Sequence, residues 1–344
     1  MDKILFIRRD NIGDLICTTP AIHAVRNKFP DVKIGILVNT YNADVVTNNP
    51  DIDEIYIYEK AKHNPHKNKL SVWWSNYKIL RKIRKKRYDV AIGCGSYSPM
   101  LERYTFFSGA KVRIGYIKKG ARNFFYNIPM VQPDEKKHEV VNTFNLTRPL
   151  GINAEPGCLH VVPDERELEL FSGYKRASAN NGSKPLIALA ISARILKNKW
   201  PVERFIQLAE RILLKKKFNV LFLWAPGSKN NPTFPGDDDE AEKIIIKFGT
   251  RVLAYLTPGL NALTAALTDS DMVVSLDTGN LHIAAALGKP TVALMTKSKS
   301  LCWYPWKTEH IIITAEEEVK AISVDKVFEA VITLGKRLQA GGKI

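Results

Sequence analysis

The chain has little cysteine, no long apolar run and fewer acids than bases. Its four cysteines among 344 residues, Cys17, Cys94, Cys158 and Cys302, show no CxxC spacing, so neither a zinc site nor a disulfide framework gains support. Buried or idle thiols are expected. No window of 18 or more uncharged apolar residues occurs, which argues against a membrane-spanning helix. The opening MDKILFIRRDNIGD lacks the apolar region and small-residue cleavage site of a signal peptide, and a cytoplasmic protein is expected. Also missing are a GxGxxG after an apolar run, GxxxxGKS/T, HExxH and GxSxG. Dehydrogenase, P-loop kinase, zincin and serine hydrolase readings lose their main support. Carboxylates do not cluster at convincing metal spacing, DDD at 237–239 being the nearest approach, so no metal is expected.

Acids number 35 against 51 bases, a formal net charge of +16. Such a surplus favours an anionic partner: nucleic acid, an acidic membrane surface or a phosphorylated substrate. Much of it is local, because KILRKIRKKRY holds Lys78, Arg81, Lys82, Arg84, Lys85, Lys86 and Arg87. Ile79, Leu80 and Ile83 there have the spacing of a buried stripe. The cationic face opposite is either solvated or turned to an anionic surface, which would relieve the repulsion among so many cations.

What the chain does contain is alternation. Short apolar runs (KILFIRR, KIGILV, EIYIY, YDVAIGC) alternate with helical stretches at Leu15–Lys28 and Leu70–Lys86. The pattern then repeats: PLIALAI, a helix over Val202–Lys217, NVLFLWA, a helix near Glu240–Phe248, RVLAYL, a helix near Leu260–Leu267, MVVSL, a helix over Asn280–Leu287, and PTVALM. Alternation of this kind predicts βαβ units and parallel sheets, hence two Rossmann-like, doubly wound domains. Their expected bounds are 1–176 and 186–320, joined by a small, polar linker at 177–185 (ASANNGSKP). A final amphipathic helix within 321–344 is long enough to pack back across the first domain. Open α/β sheets bind ligands beyond the carboxyl ends of their strands, so a cleft between two such domains should draw its chemistry from strand-to-helix turns.

The clearest turn lies in MVVSLDTGNLHIAAALGKPTVALM. After the strand ending at Leu276, Asp277, Thr278 and Gly279 make a tight turn, and a small-residue helix begins near Asn280. Its N–H groups and positive dipole end suit a diphosphate, Gly279 admits a close approach, and Thr278 adds a hydroxyl. Asp277 either caps the helix or accepts a bond from the ligand. His282 falls in the first turn, where a packed ring is the simpler role. A second turn, SARILKNKWPVERF, brings Arg194, Lys197 and Lys199 ahead of Trp200 and Pro201; these cations either lie solvated or neutralise a leaving anion. In the first half, RRDNIGDLICTTPAI sets Asp14 beside Gly13 at a helix start, as either a cap or a base. The acids Asp237 to Glu240 either bond a ribose or fill a helix's first turn.

Together these turns resemble glycosyltransferase family 9, the heptosyltransferases of the bacterial lipopolysaccharide inner core. ILFIRRDNIGDLICTTPAIHAVRNKFPDVKIGILV looks like the family's opening, SLDTGNLHIAAALGKPTVAL like its D-S/T-G-x-x-H-x-A-A-x-x-x-P motif, and NKWPVERFIQLAERI like its K-x-W-P segment. GARNFFYN, around Arg122, resembles the segment carrying an acceptor-binding arginine. The resemblance implies a GT-B fold, with an acceptor-binding first domain and a nucleotide-sugar-binding second one. It implies metal-independent, inverting transfer of heptose from ADP-heptose to an acidic, lipid-linked Kdo/heptose-lipid A acceptor, with no cofactor beyond the donor. Asp14 matches the catalytic acid; Asp277, Thr278, Gly279 and His282 match the donor site, with Lys197 or Lys199 as its cation, and the helix end at Asn280 would add donors to the diphosphate. Gly13, Arg9 and Arg122, with Arg8 as a further candidate, fall on the acceptor side. Two departures stand out: Asn198 occupies the usual lysine position, and MTKSKSLCWYPW replaces an aromatic-Gly-Pro-Thr-Asp run.

For such an enzyme the helix bearing Arg81, Lys82, Arg84, Lys85 and Lys86 would face the anionic inner leaflet, giving peripheral attachment to the cytoplasmic face of the inner membrane. The alternatives are a family member using another nucleotide sugar, a non-catalytic nucleotide-sugar-binding protein, and a nucleic-acid-binding protein. The last lacks any RRM, KH or zinc-finger signature.

Overall fold

The computed structural model describes residues 1–60, 67–133, 136–178 and 184–342. The chain divides into two compact units, Met1–Val162 and Pro163–Ile344. In the first, strands β1 (Lys3–Ile7), β2 (Lys33–Asn39), β3 (Glu54–Tyr58), β4 (Val90–Gly93), β5 (Val112–Ile117) and β6 (Ile128–Val131) form one parallel sheet in the order β3-β2-β1-β4-β5-β6. The second holds β7 (Leu186–Ala190), β8 (Asn219–Trp224), β9 (Leu253–Leu256), β10 (Met272–Leu276), β11 (Thr291–Thr296) and β12 (His310–Ala315), parallel in the order β12-β11-β10-β7-β8-β9. Counted from β7, this is the first order again, and both are the doubly wound arrangement. Winding therefore reverses between β1 and β4 in one sheet and between β7 and β10 in the other.

Parallel strands need crossovers, and the crossing helices cover both faces of the sheet. The central strands are accordingly continuous apolar runs: β7 and β10 are buried throughout and β1 from Ile4 onward. Register places Ile4 opposite Ile34 and Val90, and Ala188 opposite Leu221 and Val273. In β5, Gly115 leaves room for the Tyr126 ring, which would lie 2.2 Å from a Cβ.

The expected helix over Leu15–Lys28 is two helices, Ile12–Ile16 and Thr19–Lys28. Pro20 has no N–H for the Ile16 carbonyl; Thr19 Oγ1 donates to that oxygen instead, at 2.7 Å. Strands β5, β6 and β12 and the helices Pro99–Phe107, Glu139–Asn145 and Glu165–Ala177 go beyond the elements read from sequence.

The expected domain bounds need correction. The division falls after Val162, not at 176, because the helix Glu165–Ala177 packs within the second unit. There Phe171 meets Tyr255 edge-on at 4.9 Å, Tyr174 Oη donates to Ala254 O, and Lys175 pairs with Asp269. Residues 179–183 of the expected 177–185 linker lie outside the described residues. The C-terminal helix, expected to return across the first domain, is Val324–Ala340 and packs on the helix Val202–Leu214 and on β11 and β12. Its Val327, Val331, Leu334 and Leu338 join Trp200 and Phe205 in the core of the second unit.

Candidate active site

In the first unit the chain leaves β1 through Arg8, Arg9 and Asp10, at the point where winding reverses. Arg8 is the hub of this turn and only 1% exposed. Its Nη2 donates to Asp14 Oδ1 at 2.7 Å and to Glu139 Oε1 at 2.8 Å, Nη1 donates to Thr143 Oγ1 at 3.2 Å, and Nε lies 3.4 Å from Asp10 Oδ2. Burial alone would lower the charge on the Arg8 guanidinium, but Glu139, Asp14 and Asp10 together hold it more firmly protonated than usual. The turn's backbone is held by the buried amides of Asn39, donating to Asp10 O at 3.0 Å, and Asn42, and by Tyr58 Oη donating to Arg9 O. After β4, Gly95 has φ +124°, and a Cβ there would lie 2.9 Å from Asp10 Oδ2. Only glycine lets that turn close on the carboxylate.

Asp14 is the third residue of the helix Ile12–Ile16, and its side chain remains 14% exposed. Its Oδ2 accepts from the Asn11 backbone N–H and from Asn11 Nδ2, at 3.0 and 3.1 Å. One side chain thus caps the helix start and pairs with Arg8. Burial pulls its carboxyl upward, yet the Arg8 guanidinium and the Asn11 donors outweigh it, so Asp14 titrates below the ordinary carboxylate range. It is an anion at neutral pH with both oxygens oriented.

The other first-unit candidates fare differently. Arg8, considered for acidic groups of a ligand, is buried and committed to carboxylates of its own chain. Arg9 lays its guanidinium over Tyr104, at 4.4 Å from the ring centroid, and Tyr58, at 5.1 Å. Gly13 is buried in the first helical turn, and Arg122 is exposed on the loop between β5 and β6. Sequence reading missed Glu139, Thr143, Asn39 and Asn42, whose roles arise from partners far along the chain.

In the second unit the winding reversal joins the loop after β7 to the turn after β10. Asn198 Nδ2 donates to both the Asp277 backbone oxygen and Asp277 Oδ2, each at 3.2 Å, so the residue in the usual lysine position organises the turn. Thr278 is the extended N-cap of the helix Gly279–Ala286, with φ −145°. Asp277, Thr278, Gly279 and Asn280 are all partly exposed, and the first N–H groups of a helix have no acceptor within it. Lys199 pairs with buried Asp237, while Lys197 is exposed. Trp200 is a core anchor: its Nε1 donates to Ile322 O at 2.9 Å and its ring meets Phe205 edge-on.

His282 is 3% exposed and sits edge-on to Trp303, the packed setting that is the simpler of its two expected roles. Of the four acids considered for a ribose, Asp237 holds Lys199, Asp238 accepts from Trp224 Nε1 and Gly227 N, Glu240 pairs with Lys243, and Asp239 is exposed, 3.5 Å from Lys229.

The basic helix is Lys69–Lys86. Ile83 is buried and Ile79 and Leu80 are half-buried against it, while Arg81, Lys82, Arg84 and Lys85 are exposed. Lys86 pairs with Glu54, and Lys82 Nζ stands 5.7 Å from the Tyr56 ring centroid. Among the described residues no helix is long and apolar enough to cross a membrane, and no group of three or more His, Cys, Asp or Glu side chains is placed to hold a metal ion.

The sequence model of the family described as Glycosyltransferase family 9 (heptosyltransferase) matches residues 76–331. The chain belongs to glycosyltransferase family 9. It is 21% identical over 320 residues to lipopolysaccharide heptosyltransferase 3 of Escherichia coli, covering 87% of this chain and 85% of that one. A family 9 glycosyl transferase from Veillonella parvula superposes with a TM-score of 0.82 at 19% identity, covering 97% of both chains. The E. coli ADP-heptose lps heptosyltransferase II superposes at 0.75, with 19% identity over 98% of this chain and 99% of that one. The fold of this family 9 glycosyltransferase is therefore GT-B, two Rossmann-like domains in series.

Proposed function

We propose that the chain moves heptose from ADP-heptose to an acidic lipopolysaccharide core saccharide of the Kdo/heptose-lipid A class, with inversion and without metal or other cofactor. One observation carries the mechanism: at the winding reversal of the first sheet, Arg8 and Asn11 hold the Asp14 carboxylate ionised and aimed. Inversion needs one base on the acceptor hydroxyl and one anion clamp on the departing nucleotide, in a transition state of oxocarbenium character. A carboxylate titrating below its usual value is a weak base in the ground state. It takes the proton late, as the new C–O bond forms and the hydroxyl becomes acidic. Arg8 is a positioning residue, since it acts on the acceptor only through Asp14.

For the departing ADP, the turn Thr278–Gly279–Asn280 offers backbone donors and the positive end of a helix dipole, about half an elementary charge. Exposed Lys197 supplies the mobile cation, because the Lys199 ammonium is held by Asp237. On the acceptor side Arg122 and the edge of Arg9 meet the saccharide's acidic groups, with Gly13 under the reacting hydroxyl. The exposed cations Arg81, Lys82, Arg84 and Lys85 draw the enzyme to the anionic cytoplasmic face of the inner membrane.

A second reading within the family rests on Asn198 standing where a lysine is usual: the donor is another nucleotide sugar. Incubation with a panel of nucleotide sugars, with and without lipid acceptor, decides between them. ADP release from ADP-heptose that depends on acceptor supports the first reading. Release from a different donor alone supports the second, and no release from any donor overturns both.

A further inference from the structure

The helices Lys69–Lys86 and Pro99–Phe107 of the first unit enclose a cavity of about 1030 Å³, the upper end of the range for small-molecule sites. Its walls are mostly apolar: Val72, Leu80 and Met100 are aliphatic, and Trp73, Tyr77 and Phe107 are aromatic. Several of these side chains stand open to solvent, with Trp73 61% and Phe107 50% exposed. Tyr77 stacks on both Trp73 and Trp74, its ring centroid 5.8 Å from that of Trp73. Exposed apolar surface of this extent costs roughly 25 cal/mol per Å², and such patches mark binding surfaces. Cations ring it: Arg81 and Arg84 from one helix, Arg103 from the other, Arg9 from the turn after β1. Of the two acids that line it, Asp10 lies against the Arg8 guanidinium and Glu59 is paired with Lys67.

We propose that this cavity is a lipid site that takes an acyl chain of a phosphorylated membrane lipid, with the phosphate among Arg81, Arg84 and Arg103 and with Trp73 and Trp74 at the bilayer interface. Three features select this occupant. Walls that mix Val72, Leu80 and Met100 with aromatic rings suit a hydrocarbon chain; the same rings can stack on bases, which makes single-stranded nucleic acid the competitor to test. The cationic rim complements a phosphate, and tryptophan beside basic residues is the composition of a membrane-interface face. The site deepens the membrane attachment proposed above but does not depend on the identity of donor or acceptor sugar. Arg9, shared by the cavity and the turn that carries Asp14, connects lipid capture to the proposed base.

The experiment uses the full chain without donor, titrated with dihexanoyl phosphatidic acid below its micelle concentration and followed by tryptophan fluorescence and calorimetry. Parallel titrations use dihexanoyl phosphatidylcholine, inorganic phosphate and a single-stranded oligonucleotide. Saturable binding of phosphatidic acid, about tenfold or more tighter than phosphatidylcholine and than phosphate alone, is the expected result. Phe107→Ala and Trp73→Ala, both at exposed positions, each weaken it about fivefold with unchanged melting temperature, and Arg81→Ala combined with Arg103→Ala removes the preference for the anionic lipid. Equal binding of inorganic phosphate, tighter binding of the oligonucleotide, or no saturable binding of phosphatidic acid overturns the proposal. Because no sugar is transferred in this experiment, its failure leaves the glycosyltransferase reading standing, and failure of donor turnover leaves the lipid site standing.

Discussion

At the winding reversal of the first sheet stand Arg8, Asp10 and Asp14, with Glu139 reaching in; at that of the second stand Asp277, Thr278 and Gly279, with Asn198 reaching in. The strand order is the same in both units, so the difference comes from what the turns carry. The first turn concentrates charge, three carboxylates about one buried guanidinium, and orients one of them with a partly open face. The second keeps charge low, with one carboxylate tied to a neutral amide and a small-residue helix opening beside it. A doubly wound sheet supplies a place; under the proposed mechanism the rigid ionic frame fixes the base, and the turn with exposed donors and little negative charge is the anion clamp.

That contrast is most sharply broken by removing the guanidinium. Arg8→Ala leaves Asp14 and Glu139 without their cation and should cost about 3–5 kcal/mol of unfolding free energy in urea titrations, while Asp277→Asn in the second unit should cost less than about 1 kcal/mol. A smaller effect is expected from Asn198→Ala. Loss of two hydrogen bonds to Asp277 should raise the donor KM several-fold, with a stability change of about 1–2 kcal/mol, read from steady-state kinetics and melting. Acid titration sharpens the comparison further. Because the folded-state pKa of Asp14 is depressed, its stabilising contribution is fully present above its ordinary value of about 4 and is lost as pH falls below it. Unfolding free energies of wild type and Asp14→Asn should therefore converge as pH is lowered through that region, and transfer rates should show no acid limb from this group between pH 7 and about pH 5. The smallest effect concerns the thiols: burial pushes Cys17 well up and Cys94 up to about 12, so a thiol reagent at neutral pH should label exposed Cys158 first and reach the buried pair only on unfolding.

The sheets were legible because a parallel strand covered on both faces is a continuous apolar run, and β1, β7, β8, β10 and β11 are such runs. The edge strand β12 is only half-buried, and β6 carries a proline, so neither stands out from its surroundings. The helix Glu165–Ala177 buries only Phe171, so it carries no continuous buried stripe, and the sequence pattern places the domain boundary too late. At the sites, Asp14 and the 277–280 turn were visible from local pattern, since helix starts after apolar runs have a sequence signature. The Arg8 hub was not: Glu139 lies 131 positions away, and a pairing of that span leaves no periodicity or motif. The same holds for Asn198, whose meaning depends on meeting Asp277, 79 positions further on.

The proposed role of the ionised Asp14 carboxylate is to take the acceptor proton. Its most direct test is turnover of Asp14→Asn at saturating donor, in protein shown by melting and circular dichroism to be folded. Loss of about 10²–10⁴-fold in kcat with the donor KM nearly unchanged is predicted; turnover close to wild type would contradict it.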